Sequence, residues 1–177
     1  MGTQKQAARE PPHKNRLIVN SSRYPLRINI GFLINQNVGS YRDLQFEVPH
    51  LNLDGDFAVS DFAASIRVGR VQQGVLAQAA LTGRVELECV RCLESYQQIV
   101  ETEFQELFTF KHKGVTESGL VIPDDGNINL APLVREYLLL EVPISPLCSP
   151  DCKGLCAVCG TNLNEEMCEH NARIEVD

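Results

Sequence analysis

Seven cysteines and one histidine are the residues of this sequence whose types and spacing best suit chemistry. They occur as two Cys-x-x-Cys pairs, one Cys-x-x-x-Cys pair and one Cys-x-His pair. These residues are Cys89, Cys92, Cys148, Cys152, Cys156, Cys159, Cys168 and His170. A Cys-x-x-Cys turn places two sulfurs on one side of a tight loop, which suits adjacent corners of a tetrahedral zinc site. The sequence therefore predicts metal binding, chiefly in the compact segment from Cys148 to His170.

The eight candidate ligands divide into two closed sets of four. In the preferred partition, the first set is Cys89, Cys92, Cys148 and Cys152. The second set is Cys156, Cys159, Cys168 and His170. Gly154 favours this partition because a glycine permits a sharp break of the chain between the two sets. The alternative partition groups Cys148, Cys152, Cys156 and Cys159. Sites with four protein ligands leave no position for water, so both are predicted to be structural and not hydrolytic.

Two zinc ions are the expected cofactors, and iron held by four thiolates is the alternative because its sites share this geometry. The pair Cys89 and Cys92 also has other interpretations. It could be a buried structural pair without metal, or a redox pair. The redox interpretation is disfavoured because predicted strands flank the pair, whereas a thioredoxin-type motif precedes a helix in a βαβ unit.

Charge is distributed unevenly along the 177 residues, whose formal net charge is −7. Residues 1–30 carry six basic residues against one acidic residue, whereas residues 101–177 carry five against fourteen. An acidic protein does not coat nucleic acid by bulk electrostatics, so only the N-terminal segment is suited to an anionic partner. With neither a membrane span nor a signal peptide evident, the sequence predicts a cytoplasmic protein, in which thiols stay reduced.

Patterns of apolar residues predict the elements that must position these thiols. Alternation over 65–71 and 75–89 indicates two antiparallel strands joined by a turn at Gln72-Gln73-Gly74, with positive φ expected at the glycine. Alternation over 96–110 predicts the next strand, and a shorter strand over 44–48 is expected to end at Pro49. Gly83 is interpreted as a β-bulge. A helix is predicted from about Leu130, capped by Asn129, to Glu141.

The predicted fold class is α+β: an antiparallel β-meander sheet or partial barrel with one packed helix and a zinc-stapled C-terminal tail. Three parts are expected along the chain. Residues 1–16 form a flexible basic tail, residues 17–145 an α+β core domain, and residues 146–177 a cysteine-rich tail packed on that core. The remaining histidines, His13, His50 and His112, are isolated and are interpreted as surface or loop residues.

Two runs of residues resemble the YceD-like family of bacterial proteins. They are Gly83-Arg-Val-Glu-Leu-Glu-Cys-Val-Arg-Cys-Leu-Glu94 and Pro146-Leu-Cys-Ser-Pro-Asp-Cys-Lys-Gly-Leu-Cys-Ala-Val-Cys-Gly-Thr-Asn-Leu-Asn164. The resemblance extends from about residue 25 to the end of the chain. It departs from the family pattern at His170, where many relatives carry cysteine, and at Ala157, where proline is frequent. It implies a role in accumulation and processing of large-subunit ribosomal RNA.

The resulting expectation is a non-enzymatic zinc-binding protein of ribosome biogenesis that binds a ribosomal RNA precursor or a ribosome-assembly protein. Arg70, Arg84 and Arg91 are the candidate nucleic-acid-binding residues. The alternative is a protein–protein interaction module with structural zinc and no nucleic-acid contact, which the acidic C-terminal half favours. An enzyme is the weakest of the three hypotheses because the sequence contains no recognisable catalytic constellation, and no small-molecule substrate is evident.

Overall fold

A computed structural model describes residues 17–18, 26–53, 55, 57–111 and 119–170, and within these ranges the chain forms seven strands and two helices. The strands are β1 (Leu17–Ile18), β2 (Arg27–Asn29), β3 (Tyr41–Leu53), β4 (Phe57–Val71), β5 (Gly74–Glu88), β6 (Ser95–Thr109) and β7 (Asn127–Asn129). The helices are α1 (Gly31–Ile34) and α2 (Ala131–Leu140). No helix in these ranges is long and apolar enough to cross a membrane.

The main sheet has five strands in the order β1-β3-β4-β5-β6. Strands β3 to β6 are consecutive antiparallel neighbours, and β1 pairs with β3 in parallel through Leu17 and Ile18. A separate two-stranded sheet joins β2 to β7. This arrangement confirms the predicted α+β meander. Among the described strands β1 and β6 do not pair with each other, so the sheet stays open and is not a closed barrel.

The core lies on one face of this sheet. Ala64, Ile66 and Val68 of β4 are buried while the intervening residues face outward, which is the period-two pattern of a half-buried strand. Helix α2 covers that face with the fully buried side chains of Val134 and Leu138.

Contacts of Tyr137 and Asn129 fix helix α2 on the sheet. The ring of Tyr137 stacks on Phe104 of β6 with centroids 4.7 Å apart, and its hydroxyl donates a hydrogen bond of 2.9 Å to Glu106. The side-chain oxygen of Asn129 accepts a hydrogen bond from the Ala131 N–H at 3.1 Å, but the N-cap residue is Leu130 and it makes no side-chain cap hydrogen bond, so the predicted cap at Asn129 is wrong. The helix nevertheless begins and ends within one residue of the predicted bounds.

Strand β3 continues past Pro49, so the prediction that it ends there is wrong. Val48 pairs with Phe62 and His50 pairs with Ser60, on either side of the proline. Within the described part of the chain, strand β1 pairs with β3 only at Leu44 and Gln45. Among these described residues, the later part of β3 is therefore an edge strand, where a residue without an N–H donor is tolerated.

Gly74 permits close packing of the β5 and β6 backbones and is not part of the turn. The turn at Gln72-Gln73 joins β4 to β5 as predicted, but Gly74 is already paired in β5 and has no positive φ, so that prediction is wrong. A Cβ atom on Gly74 would lie 1.9 Å from the carbonyl oxygen of Phe108 in β6. The glycine is required because the two backbones approach each other closely.

The irregularity predicted at Gly83 lies in the neighbouring strand. The register of β4 against β5 shifts between Ser60 and Ala63, which face Arg84 and Thr82. A Cβ atom on Gly83 would lie 2.4 Å from Cγ1 of Val59, so the glycine makes room for the distorted strand. The predicted tail of residues 1–16, with His13, and the loop residue His112 lie outside the described residues, and the domain bounds stay predictions.

The close approach of the backbones at Gly74 predicts that two glycine substitutions differ sharply in their effect on the free energy of unfolding. Gly74→Ala should lower the free energy of unfolding by about 2 kcal/mol or more, because the new methyl group forces strands β5 and β6 apart. Gly69→Ala is the matched control, since its Cβ atom would meet its nearest neighbour, Cβ of Tyr41, at 3.8 Å. Urea denaturation of both variants measures the difference. Equal free energies of unfolding for the two variants would contradict the close approach of the β5 and β6 backbones at Gly74.

Candidate metal centres

The connection between β5 and β6 is a tight loop that carries the first pair of thiols. The Cys89 N–H donates to the carbonyl of Glu94 at 3.0 Å, and the Leu93 N–H donates to the carbonyl of Cys89 at 2.9 Å. Leu93 takes a positive φ of 60° to close the loop. As a result Cys89 and Cys92 are both buried, with 0% and 3% of their surfaces exposed.

The segment after α2 returns to this loop and is held there by backbone contacts. The Val90 N–H donates to the carbonyl of Pro146 at 2.9 Å, and the Leu155 N–H donates to the carbonyl of Arg91 at 3.0 Å. Gly154 has φ +76°, and a Cβ atom there would lie 3.0 Å from the Arg91 carbonyl oxygen. These contacts place Cys148 and Cys152 directly against the β5–β6 loop.

Four sulfurs meet at this junction, and we call the group of Cys89, Cys92, Cys148 and Cys152 the first cluster. The Sγ atoms of Cys89 and Cys152 are 3.7 Å apart, and those of Cys92 and Cys148 are 3.6 Å apart. All four sulfurs lie within 4.8 Å of one another. Tetrahedral zinc with bonds of about 2.3 Å separates its sulfur ligands by about 3.8 Å. The spacing therefore fits a four-coordinate metal ion.

The thiols of the first cluster differ in their readiness to ionise. Burial acts to raise the pKa of Cys89, but hydrogen bonds from the backbone of Cys148, Cys92 and Arg91 lower that pKa to about 6. The pKa of Cys148 is instead raised to about 12, chiefly because its thiol shares a hydrogen bond with Cys92. A metal ion binds thiolates, so it must displace the more tightly held protons of this cluster, and its binding is linked to pH.

The remaining four ligands form a second cluster of Cys156, Cys159, Cys168 and His170. Their ligand atoms also lie within 4.8 Å of one another. Gly160 has φ +75°, and its N–H donates to the carbonyl of Cys156 at 2.8 Å, which closes the loop that carries Cys156 and Cys159. The side chain of Thr161 lies 3.2 Å from the Cys159 sulfur and is the main cause that lowers the pKa of Cys159 to about 6.

The structure therefore brings together the same two groups of four as the preferred partition. In the alternative partition, Cys148 and Cys152 would share a site with Cys156 and Cys159, whereas the structure places them in the first cluster. Three of the four residues are buried in the first cluster, where Cys148 is exposed, whereas only Cys156 is buried in the second cluster. Both groups could hold a metal ion, with all four positions filled by protein atoms.

Two residues that contact the first cluster were not predicted from the sequence. Tyr96 packs against the cluster, and its buried hydroxyl makes no hydrogen bond of good geometry within the described part of the chain. Asn164 donates from Nδ2 to the Cys152 sulfur at 3.3 Å. In the sequence, Tyr96 looks like any other residue of an alternating strand. Asn164 likewise cannot be told apart from its neighbour Asn162. Neither position therefore carried a local signal.

The three arginines predicted to bind nucleic acid make contacts within the fold. Arg70 donates to the carbonyls of Ile34, Val71 and Gly74 and lies over the ring of Phe110.

Arg91 and Arg84 are also engaged. Arg91 donates to the carbonyl of Cys152 at 2.8 Å and so helps to join the tail to the β5–β6 loop. Arg84 faces the carboxylate of Asp61 at 3.7 Å, and both side chains are more than half exposed. The role of these three arginines in nucleic-acid binding stays a prediction.

Comparison with known proteins gives a family match over the cysteine-bearing part of the chain. The model of the family described as large ribosomal RNA subunit accumulation protein YceD matches residues 77–177. A protein of Mycobacterium leprae is 33% identical over 80% of this chain and 70% of its own length. A protein of Mycobacterium bovis is 33% identical over 62% of this chain and 55% of its own length.

A plant relative matches a shorter segment. The maize protein named large ribosomal RNA subunit accumulation protein YCED homolog 1, chloroplastic, is 42% identical over 23% of this chain and 14% of its own length. No solved structure matches the chain.

The two clusters predict two metal ions per chain with separable effects. Elemental analysis of the purified protein should give a ratio near two, because all eight ligands are present. Cys156→Ser should lose one ion and leave the sheet folded, whereas Cys89→Ser should lose one ion and also release the tail from the β5–β6 loop. Circular dichroism measures the sheet and limited proteolysis measures the tail. A ratio near one, or complete unfolding of Cys156→Ser, would contradict this arrangement.

Proposed function

The chain belongs to the YceD family, and on that premise we propose that it is a non-enzymatic zinc-binding protein of ribosome biogenesis. In this proposal it supports the accumulation or processing of large-subunit ribosomal RNA. The printed names of the family and of the maize and Arabidopsis thaliana relatives support this role, since all of them refer to large ribosomal RNA subunit accumulation. The cytoplasm is the proposed compartment, because seven thiols without disulfides suit a reducing environment.

Zinc is the proposed metal in both clusters. Four thiolates in one cluster, and three thiolates with one imidazole in the other, are the ligand sets of structural zinc sites. The sulfur distances of 3.6 and 3.7 Å in the first cluster are the observation that best supports this choice. Iron with four thiolates remains the alternative for the first cluster, and the elemental analysis described above distinguishes the two metals.

In this proposal zinc stabilises the attachment of the C-terminal tail. The tail contributes few core residues of its own, and a segment this small requires a metal or a disulfide to hold a fold. Cys148 and Cys152 come from the tail, whereas Cys89 and Cys92 come from the β5–β6 loop. An ion in the first cluster therefore joins two parts of the chain that are more than fifty residues apart in sequence. With every position filled by protein, neither ion would activate water.

The charge distribution indicates which part of the chain is suited to bind RNA. Residues 1–30 carry the six basic residues, whereas the C-terminal part is strongly acidic. Arg67 lies 2.6 Å from Asp43, and Lys111 lies 2.6 Å from Asp124, so these cations are also partly neutralised. RNA contact would therefore come from the N-terminal segment. The alternative, a protein–protein interaction module without nucleic-acid contact, is favoured by the acidic C-terminal part.

Loss of the gene tests the proposed role in the cell. Deletion should lower mature large-subunit ribosomal RNA relative to small-subunit RNA, because maturation of the large-subunit RNA would be impaired. Quantification of both RNAs, with a plasmid copy of the gene as control, measures the change. The tagged protein should also sediment with large-subunit precursors in a sucrose gradient. An unchanged RNA ratio together with sedimentation only at the top of the gradient would exclude the proposed role.

Direct RNA binding is tested through the charges of the N-terminal segment. Replacing Lys5, Arg9, Lys14 and Arg16 by glutamine in the full-length chain should weaken binding to precursor RNA. It should also flatten the plot of log affinity against log salt, because each lost phosphate contact reduces the slope by roughly 0.7–0.9. The matched control replaces Lys111 and Lys153, which lie outside this segment. An unchanged slope shows that this segment does not bind RNA, and no RNA binding by either protein favours the interaction module.

A further inference from the structure

We propose that Asn164 is a positioning residue that couples the two metal clusters. Its side-chain amide holds the Cys152 thiolate of the first cluster, although Asn164 itself lies in the loop between two ligands of the second cluster, Cys159 and Cys168. A metal ion in the second cluster would thereby raise the affinity of the first cluster for its own ion. This inference rests on the proposed zinc binding but not on the proposed role in ribosome biogenesis.

The orientation of the Asn164 amide is fixed at both of its ends. Its Oδ1 accepts a hydrogen bond of 2.7 Å from the Lys153 N–H, which can only donate. Its Nδ2 must therefore point the other way, where it lies 3.3 Å from the Cys152 sulfur. The same Nδ2 donates to Oδ1 of Asn162 at 2.8 Å. The amide thus bridges the loop of the second cluster and a ligand of the first.

The loop that carries Asn164 is itself fastened to the segment between the clusters. The Leu163 N–H donates to the carbonyl of Gly154 at 2.9 Å, and Leu155 forms a β-bridge with Asn162. Gly154 and Leu155 lie between Cys152 of the first cluster and Cys156 of the second. The position of the Asn164 amide therefore depends on the path of the chain from 156 to 168, which the second cluster closes.

The physical effect of this amide is electrostatic. Four thiolates around a divalent zinc ion leave a net charge of −2 on the first cluster, and Cys152 is buried with only 4% of its surface exposed. A buried negative charge requires hydrogen-bond donors, and an amide donor to a thiolate supplies one.

Hydrogen-bond donors that contact metal ligands change metal affinity by roughly 10-fold to 100-fold when they are removed. If the second cluster holds Asn164 in place, filling it must raise the affinity of the first cluster. By linkage, filling the first cluster must raise the affinity of the second by the same factor. Each structural ion would then strengthen the binding of the other.

The experiment compares metal affinities of the full-length chain and four variants. Titration with cobalt(II) against a competing chelator gives the affinity of each cluster, because four thiolates and three thiolates with imidazole give different absorption bands. The variants are Cys159→Ser, which disables the second cluster, Asn164→Ala, the double variant, and Asn52→Ala. Asn52 is an exposed asparagine of β3 and is the matched control.

The proposal makes four expectations. Asn164→Ala should lower the affinity of the first cluster by about 10-fold or more and shift its sulfur-to-cobalt charge-transfer band. Cys159→Ser should lower it by a factor between about 5 and 150, the usual range of coupling between sites. In the double variant, Cys159→Ser should add little to the effect of Asn164→Ala, because the coupling group is already gone. Asn52→Ala should leave both affinities unchanged.

Three results would overturn the coupling. The first is an unchanged first-cluster affinity and spectrum in Asn164→Ala. The second is an equal effect of Cys159→Ser with and without Asn164, which would mean that any coupling takes another route. The third is loss of metal from both clusters in Asn164→Ala, which would make Asn164 a residue required for folding of the tail. A wild-type chain that takes up no metal would overturn the zinc proposal as well, so the two failures are distinguishable.

Discussion

Mutual repulsion among four closely spaced sulfurs, three of them on buried cysteines, is the constraint on which the C-terminal part of this protein depends. Cys89, Cys92 and Cys152 form a small buried group with Tyr96, Leu147 and Leu155, apart from the large apolar core of the sheet. Thiolates this close together cannot all be charged in a buried site unless a cation lies between them. The attachment of the tail to the β5–β6 loop is therefore conditional on what occupies the first cluster, whereas the sheet beneath α2 rests on its own apolar packing.

Elements with a local signal were predictable from the sequence. The alternation in β5 and β6 and the turn at Gln72-Gln73 are properties of short segments, and the structure contains both of them. The preferred grouping of the cysteines rested on Gly154, which permits a break of the chain between the two sets, and the structure brings the same groups together. These are the features that determine where the candidate metal sites lie.

Features that depend on a distant part of the chain were not predictable. Pro49 was interpreted as a strand end, but among the described residues β3 lies at the edge of the sheet there, and an edge position makes a proline acceptable. Gly74 was read as a turn residue, whereas the Phe108 carbonyl, thirty-four positions away in the chain, is what excludes a side chain. The contacts of Tyr96 and Asn164 with the first cluster could be recognised only in the folded structure, where the sheet and the tail lie together. In each case the cause is a tertiary contact.

The open sheet has a further consequence for how this protein behaves at high concentration. Strand β6 is fifteen residues long and forms one edge of the sheet, so part of its backbone can pair with a strand of another molecule. Glu101 and Glu103 are exposed along this edge, and they lie on either side of Thr102 near the exposed Ile99. Negative side chains repel an approaching copy of the same strand. The acidic character of this region therefore also guards the protein against self-association through an unpaired strand.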